Sequence, residues 1–252
     1  MKKILVLLFF ITSYLGAQTA EQLFENANKL YQENKFEEAI KTYEEIEAKG
    51  VISSEIYYNI GNAYYKLNKV APTIYNYEKA LKIDPLNEDA RNNLIFSKRL
   101  TIDKIEEIPQ SFLQKMNKNY LQKLSFNQWA IVTIVFSFLG AVFFLLFYFS
   151  YISGRKRFFF TTSIISFILL ISSVIITFNQ YHLAKNNVEA IIFSETVEVK
   201  NEPLASSSEA FTLHEGTKVS VLDEVDAWKK IKLADGKIGW ILSEEIKVIT
   251  LN

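Results

Sequence analysis

Two long apolar runs, residues 129–152 and 158–178, constrain this chain more than any other feature of its 252 residues. Neither run contains Lys, Arg, Asp or Glu. A helix needs about 20 apolar residues to cross the hydrocarbon layer of a membrane, and each run has that length. A charge at mid-helix costs roughly 2.5–3.5 kcal/mol on insertion scales, so the runs predict transmembrane helices at 128–152 and 158–180. The alternative is a pair of buried helices in a large soluble core, but nothing else in the chain is large enough to bury them.

The short segment between the runs, residues 153–157, sets the expected orientation. It contains Arg155, Lys156 and Arg157, and short basic loops stay in the cytoplasm. The N-terminus gives an independent indication, because residues 1–17 combine a basic start, a short apolar centre and small residues before a polar segment. That pattern is typical of a secretory signal peptide, cleaved or retained as an anchor. Both observations predict an inner-membrane protein whose two soluble segments lie in the periplasm.

Composition argues against several classes of function. The chain has 28 basic and 28 acidic residues and therefore lacks the basic surface typical of nucleic-acid binding. It contains no cysteine, which excludes disulfides, thiol catalysis and Cys-based zinc sites. Its two histidines lie in different segments, which disfavours a His-based metal site or a Ser-His-Asp arrangement. We therefore expect no enzyme, no cofactor, no metal and no nucleic-acid partner.

An internal repeat of 34 residues organises the segment 18–100. Three pairs of related positions show it: Ala27 and Gly61, Phe36 and Val70, and Tyr43 and Tyr77. Each unit has the pattern of two amphipathic helices joined by a short polar turn, and Pro85 ends the second unit. The pattern resembles the tetratricopeptide repeat, although Thr73 replaces the usual Ala. A further helix over residues 89–100 is expected to cap the stack.

The register of that family places one set of side chains on a concave face formed by the first helix of each unit. These candidate partner-binding residues are Phe24, Asn28, Tyr31, Tyr58, Asn62 and Tyr65. Such a face suits an extended peptide, because Asn can bond its backbone and Tyr can cover its side chains. The alternative is that these residues only pack between the units. The family's carboxylate clamp needs Lys at the position of Phe24, so a clamp of that kind is not expected.

The connector, residues 101–127, leads to the first apolar run. Its apolar residues recur with modest periodicity: Ile102, Ile105, Ile108, Phe112, Leu113, Met116, Tyr120, Leu121 and Leu124. Pro109 interrupts this pattern. We interpret the part after Pro109 as an amphipathic helix at the outer membrane surface, with Lys115, Lys118 and Lys123 near the lipid head groups. A plain helical linker is the alternative.

The pattern changes to alternation from Val188 onwards. Four apolar pairs spaced by two residues predict strands: Val197 and Val199, Val219 and Val221, Ile231 and Leu233, and Ile246 and Val248. Asp235-Gly236 between two such runs predicts a hairpin, and residues 201–208 predict a polar loop. With the ending Gly239-Trp240-Ile241, the segment 188–252 resembles the bacterial SH3-like domain.

The two C-terminal tryptophans are the candidate ligand contacts of this segment. Trp228 is a candidate contact for a wall peptide or a partner peptide, with a core position as the alternative. Trp240 is expected in the core, because a domain of this size needs its large aromatic side chains inside.

The predicted architecture is a multidomain membrane protein: all-α tetratricopeptide-type helical repeats, two transmembrane helices and a small all-β SH3-like barrel. As a whole it resembles the E-type proteins of the Bacteroides aerotolerance (Bat) system, and residues 89–94 and 102–106 add to the match. The resemblance implies partners such as membrane-anchored von Willebrand A-type proteins and a MoxR-type ATPase. The hypothesis is a non-catalytic scaffold at the lipid bilayer. The alternative is a wall-sensing module whose barrel binds peptidoglycan.

Overall fold

The computed structural model describes residues 19–106 and 108–251. The predicted signal peptide, residues 1–17, lies outside the described residues. Helices make up the N-terminal part of the described chain, as the 34-residue repeat predicts. Their bounds are α1 Ala20–Gln32, α2 Phe36–Ala48, α3 Ser54–Lys66, α4 Val70–Ile83 and α5 Glu88–Ser97. The two predicted helix pairs and the capping helix are therefore confirmed.

Local sequence signals fix where these helices begin and how the pairs turn. Thr19 and Gln22 form a capping box at the start of α1, and Ser53 caps α3 by accepting from the Ile56 amide. The turns inside the two pairs contain Asn34 and Asn68 at positive φ of 62° and 56°. Asn tolerates this left-handed conformation better than most residues, so the same residue closes the turn in both units.

Gly61 allows α3 and α4 to approach closely. A Cβ atom at Gly61 would lie 2.6 Å from Cε1 of Tyr77, which is closer than non-bonded atoms come. The matching residue of the first unit, Ala27, is fully buried. Small side chains at both positions therefore let the helices of each pair pack against each other, as the repeat predicts.

Two long helices follow the repeat stack and pack antiparallel as a hairpin. A short helix, α6 Phe112–Asn119, and a 3-10 turn, Leu121–Lys123, precede α7 Phe126–Phe149 and α8 Ser153–Asn186. Both α7 and α8 are long and apolar enough to cross a membrane. No residue in the most apolar window of α7 is buried, and only 11% of that of α8. This exposure disagrees with the alternative of two core helices in a soluble protein.

The connection between α7 and α8 differs from the expectation. Residues 153–157 are not a turn but the start of α8, and the chain reverses at residues 150–152. The amide of Lys156 donates to the carbonyl of Ile152 at 2.9 Å, so the helix is already hydrogen-bonded there. Arg and Lys are good helix formers, which explains why the basic residues extend the helix. At its other end α8 continues past the predicted limit of 180.

A seam of small and polar residues holds the hairpin together. The hydroxyls of Thr133 and Thr177 are 3.2 Å apart, and Ser163 donates to the carbonyl of Gly140 at 3.4 Å. Small and hydroxyl-bearing residues let membrane helices approach closely and bond across their interface. Close to the start of α7, Nε2 of Gln180 donates to Asn117 of α6 at 3.3 Å. The α6 helix is therefore attached to the end of the hairpin.

Seven strands form one antiparallel sheet in the order β3-β2-β6-β5-β4-β1-β7. Their bounds are β1 Val188–Ile192, β2 Thr196–Lys200, β3 Glu209–His214, β4 Lys218–Val225, β5 Trp228–Lys232, β6 Ile238–Leu242 and β7 Ile246–Val248. The predicted hairpin joins β5 to β6 with Gly236 at φ 92°, and residues 201–208 form the loop before β3. The C-terminal β-domain is thus confirmed.

Trp240 is not in the sheet's core, contrary to expectation. Side chains alternate along a strand, and in β6 it is Gly239 and Ile241 that are buried. A Cβ atom at Gly239 would lie 2.4 Å from Cγ1 of Val199, so the inner side of β6 has no room for a side chain there. Trp240 therefore lies half-buried on the opposite face, and Nζ of Lys230 is 5.7 Å from its ring centroid.

The repeat stack and the sheet touch directly, and we call this contact the joint. Its buried apolar residues are Ala71, Ile74, Tyr75, Tyr77 and Leu94 from the stack and Ile191 and Ile249 from the sheet. Polar contacts reinforce it: the Tyr75 hydroxyl donates to the carbonyl of Val248 at 3.3 Å, and Nζ of Lys82 donates to that of Ile249 at 2.7 Å. Phe193 packs edge-on against Tyr75. The two domains therefore share one hydrophobic cluster.

A buried carboxylate links charges on both sides of the joint. Glu78 of α4 lies 2.9 Å from Nζ of Lys98 and 2.8 Å from Nζ of Lys218 in β4. Lys218 also pairs with Glu189 of β1 at 2.8 Å. Burial alone would raise the pKa of Glu78, but the attraction of Lys218 and Lys98 outweighs it and lowers the pKa to about 2. Glu78 therefore stays ionised inside the joint.

The first part of the connector is extended rather than helical. Residues 101–106, which we call the strap, cross the sheet next to the joint. Asp103 accepts hydrogen bonds from His214 and Thr217, and Ile105 packs against the sheet's core. Helical periodicity in the connector is thus confined to the part after Pro109, where α6 lies.

Gly216 is a position where stack, strap and sheet come close together. It has a φ of 83°, and a Cβ atom there would lie 2.9 Å from Thr101, 3.0 Å from Val70 and 3.1 Å from Ile74. Gly50 has a similar φ of 79° but no atom within 4 Å of such a Cβ. Substitutions at these two glycines therefore distinguish the effect of backbone strain, which both share, from the effect of crowding, which only Gly216 has.

We expect Gly216→Ala to destabilise the protein more than Gly50→Ala. The left-handed conformation costs both variants about 1–2 kcal/mol, whereas only Gly216→Ala also pushes the joint apart. The measurement is the free energy of unfolding of the detergent-solubilised protein in urea. Equal losses in the two variants would contradict the close packing of the joint.

We expect Glu78→Gln to destabilise the protein by about 3 kcal/mol at neutral pH, from the pKa difference of Glu78 between the unfolded and folded states. Because the folded-state pKa is the lower one, this stabilisation is complete above about 4.5 and is lost as the pH falls towards 2. The difference in unfolding free energy between wild type and variant should therefore shrink over that pH range.

The control for Glu78→Gln is Glu33→Gln, which removes the exposed pair with Lys35. Exposed pairs contribute little, so the control should match wild type at every pH. A difference between Glu78→Gln and wild type that does not change between pH 4.5 and pH 2 would show that the ionised carboxylate is not what stabilises the joint.

Candidate functional site

The structure brings four of the six predicted groove residues into one cleft. Tyr31, Tyr58, Asn62 and Tyr65 line a cleft of about 320 Å³ on the repeat stack. The lining also contains residues that the repeat register did not nominate: Lys66, Tyr77, Asn93 and Phe96. Asn93 and Phe96 come from the capping helix α5. The cap therefore completes the cleft rather than only covering the end of the stack.

Phe24 and Asn28 lie one unit earlier, outside this lining. Phe24 packs edge-on against Tyr43, with 5.8 Å between the ring centroids. The Oδ1 atom of Asn28 accepts from the Tyr43 hydroxyl and, at 3.3 Å, from Nδ2 of Asn59. Phe24 thus packs inside the first unit, whereas Asn28 also links that unit to the second, as the packing alternative describes.

The same hydrogen bonds recur 34 residues later inside the cleft. Oδ1 of Asn62 accepts from the Tyr77 hydroxyl at 2.7 Å and from Nδ2 of Asn93 at 2.9 Å. The asparagine acceptors are therefore used between the units. Recognition of a peptide backbone by Asn62 would use its Nδ2 group as a donor. The signal that could have placed Asn93 in the site is its distance of 34 residues from Asn59.

The tyrosines of the cleft differ in how much of each side chain is available to contact a ligand. Tyr31 packs against Phe36 at 5.2 Å between centroids, and Tyr58 packs against Tyr77 at 6.1 Å. Burial raises the pKa of the Tyr31 hydroxyl, with a smaller contribution from Tyr58. Tyr65 is 43% exposed. Tyr65 is therefore the tyrosine of the cleft best placed to contact a ligand.

A second cleft, of about 190 Å³, lies at the joint between the two domains. Its lysines are already engaged. Nζ of Lys79 lies 2.8 Å from Glu47 and 3.9 Å from the Tyr57 ring centroid. Lys247 of β7 lies 4.8 Å from the ring of Tyr75. Lys79 binds within the stack, whereas Lys247 connects the sheet to the stack, so we assign this cleft to the joint.

Both tryptophans of the sheet lie on its outer face. In the register of β5 and β6, Trp228 pairs with Leu242, Lys230 with Trp240 and Lys232 with Ile238. Paired residues share a face, and residues two apart along a strand do so too. We call this set of side chains the aromatic–basic face: Trp228, Lys230, Lys232, Ile238, Trp240 and Leu242. Trp228 is half-buried there rather than in the core.

Comparison with known protein families supports two of the resemblances seen in the sequence. A family model of the tetratricopeptide repeat matches residues 54–87, which contain α3 and α4. A family model of the bacterial SH3 domain matches residues 195–247, which contain β2 to β6. The search of curated proteins found no match. The chain thus contains a tetratricopeptide repeat and a bacterial SH3 domain, two types of domain that typically bind other molecules.

Proposed function

We propose that this protein is a non-catalytic scaffold of the inner membrane that holds protein partners on the periplasmic side. The observation that carries the proposal is the direct joint between two binding domains at the end of an apolar helical hairpin. Only Asn187 separates α8 from β1, so the SH3 domain has no tether with which to move away from the bilayer. The signal peptide, residues 1–17, would export the N-terminal domain to the same side.

The chemistry of the repeat cleft suits an extended segment of a partner protein. Asn62 can donate to its backbone, and Tyr65 can cover an apolar side chain. Lys66 at the cleft would favour an acidic residue nearby. By resemblance to the Bat system, such partners are membrane-anchored von Willebrand A-type proteins and other Bat proteins, acting in envelope stress or oxygen tolerance.

The α6 helix supports a position of the domains close to the lipid. Phe112 is 80% exposed, and Met116, four residues further on, is exposed as well. Residues at this spacing share one face of a helix. Since α6 is bonded to the end of the hairpin, this apolar face would rest on the outer membrane surface, as an interfacial helix does.

The second candidate function is binding of peptidoglycan by the SH3 domain. The observation that favours it is the aromatic–basic face, because Trp228 and Trp240 could stack on a wall ligand while Lys230 pairs with its carboxylates. In that case the protein would report the state of the cell wall. The chain reversal at residues 150–152 leaves little on the cytoplasmic side to pass such a signal on.

We expect a reporter that is active only in the periplasm to be active when fused after Asn252. The same reporter inserted at Tyr151, between α7 and α8, should be inactive, because the positive residues at the start of α8 hold that end in the cytoplasm. A cytosol-active reporter at the two positions serves as the control. The opposite pattern would overturn the proposed orientation.

We expect Tyr65→Glu to remove the cross-links that the protein forms with partners in cells. A charge at the cleft disfavours the apolar contact, and Tyr65 has little role in packing. Lys41→Glu, on an exposed position of α2, is the control and should keep every cross-link. Both variants should match wild type in thermal stability.

Trp228→Ala separates the two candidate functions in the same experiment. For a scaffold, this variant keeps the cross-links that Tyr65→Glu removes. For a wall-binding module, Trp228→Ala reduces retention of the detergent-solubilised protein on purified peptidoglycan, whereas Tyr65→Glu does not. Intact cross-links in Tyr65→Glu would exclude the cleft as the docking face.

A further inference from the structure

The strap, residues 101–106, lies on the sheet in the manner of a bound peptide. Its side chains alternate: Thr101, Asp103 and Ile105 are half-buried against the sheet, whereas the residues between them are exposed. Ile102, for instance, is 66% exposed. This alternation of period two is that of an extended chain with one face against a surface.

Asp103 is the first anchor of the strap. One carboxylate oxygen, Oδ2, accepts from the backbone amide of His214 at 2.8 Å and from the hydroxyl of Thr217 at 2.6 Å. The other oxygen lies 2.8 Å from Nδ1 of His214. Burial alone would raise the pKa of Asp103, but the hydrogen bonds from Thr217 and His214 lower it. The sheet thus provides three hydrogen-bonding groups for one carboxylate.

Ile105 is the second anchor, two residues further along. Its side chain packs against the buried cluster of the sheet, which includes Val199, Leu213 and Ile231. The chain then reaches the β5–β6 hairpin, where the amide of Ile108 donates to the carbonyl of Ala234 at 3.2 Å. The contacts that select this segment are therefore a carboxylate and an aliphatic side chain at a fixed spacing.

We propose that the surface of the SH3 domain beneath the strap is a peptide-docking surface for an extended segment with a carboxylate and, two residues later, a branched aliphatic side chain, and that this protein fills it with its own residues 101–106. The partners of Asp103 lie more than 100 positions away in sequence, at His214 and Thr217. The strap is thus an intramolecular ligand. While it is in place, the aromatic–basic face of this domain stays accessible to outside ligands.

The test uses the full-length protein in detergent and a synthetic peptide of residues 101–108, with the sequence Thr-Ile-Asp-Lys-Ile-Glu-Glu-Ile. The double variant Asp103→Ala/Ile105→Ser should release the strap and open the surface. The peptide at millimolar concentration should then raise the melting temperature of this variant by a few degrees, because a ligand of the folded state stabilises it by mass action.

Matched controls come from the alternation of the strap. The double variant Ile102→Ser/Lys104→Ala changes only outward side chains and should respond to the peptide no more than wild type does. A control peptide has Asn at the position of Asp103 and Ser at the position of Ile105. It should stabilise neither double variant. If the anchor variant gains no more from the peptide than the outward variant, the docking surface does not exist.

A milder variant keeps the proposal testable if the double variant does not fold. Asp103→Asn preserves the size of the side chain but removes its charge. Trypsin should then cut after Lys104 at least tenfold faster than in wild type, because the cut requires the strap to leave the sheet. The control Glu106→Gln changes a residue on the exposed side of the strap, and trypsin should cut this variant at the wild-type rate. Equal rates in all three proteins would contradict a strap held by its carboxylate.

Discussion

The ionised carboxylate of Glu78 is the interaction on which the arrangement of the domains depends. A carboxylate buried without partners would be neutral or strongly destabilising. Glu78 is kept charged by Lys98 from the repeat stack and Lys218 from the sheet, at 2.9 Å and 2.8 Å. Neither domain alone supplies both lysines. The charge balance of the interface is therefore complete only when the stack and the sheet are docked, with the apolar cluster around Tyr75 next to it.

This docking determines which surfaces remain for partners. The sheet uses the side of β1 and β7 for the repeat stack, and the turn before β4 for the strap. The outer face of β5 and β6, with Trp228 and Trp240, stays accessible. On the stack, the cleft around Tyr65 is built by the first helices and closed by α5, and Tyr77 of α4 belongs both to the cleft and to the joint. The two proposed recognition surfaces are thus held at a fixed distance from each other.

The sequence predicted the elements of the fold far better than the contacts between them. A period of 34 located the helix pairs, and alternation with Asp235-Gly236 located the strands, because both signals are local. The joint has no local signal: Glu78 and Lys218 are 140 residues apart. In the connector, Ile102, Ile105 and Ile108 recur with the same modest periodicity as the helical part, yet of these three it is Ile105 that packs on the sheet's core.

The errors at single residues have the same origin. Trp240 was expected inside because it is large, but the inner side of β6 has space only for Gly239 and Ile241.

The sheet is attached to the rest of the protein through Asn187, through Glu78 and through Asp103. These attachments, at β1, β4 and β3, restrict rotation as well as distance. A flexible linker would raise the local concentration of each domain independently. A fixed joint instead lowers the entropic cost of binding a partner that contacts both surfaces at once, which is the property that a scaffold next to the membrane requires.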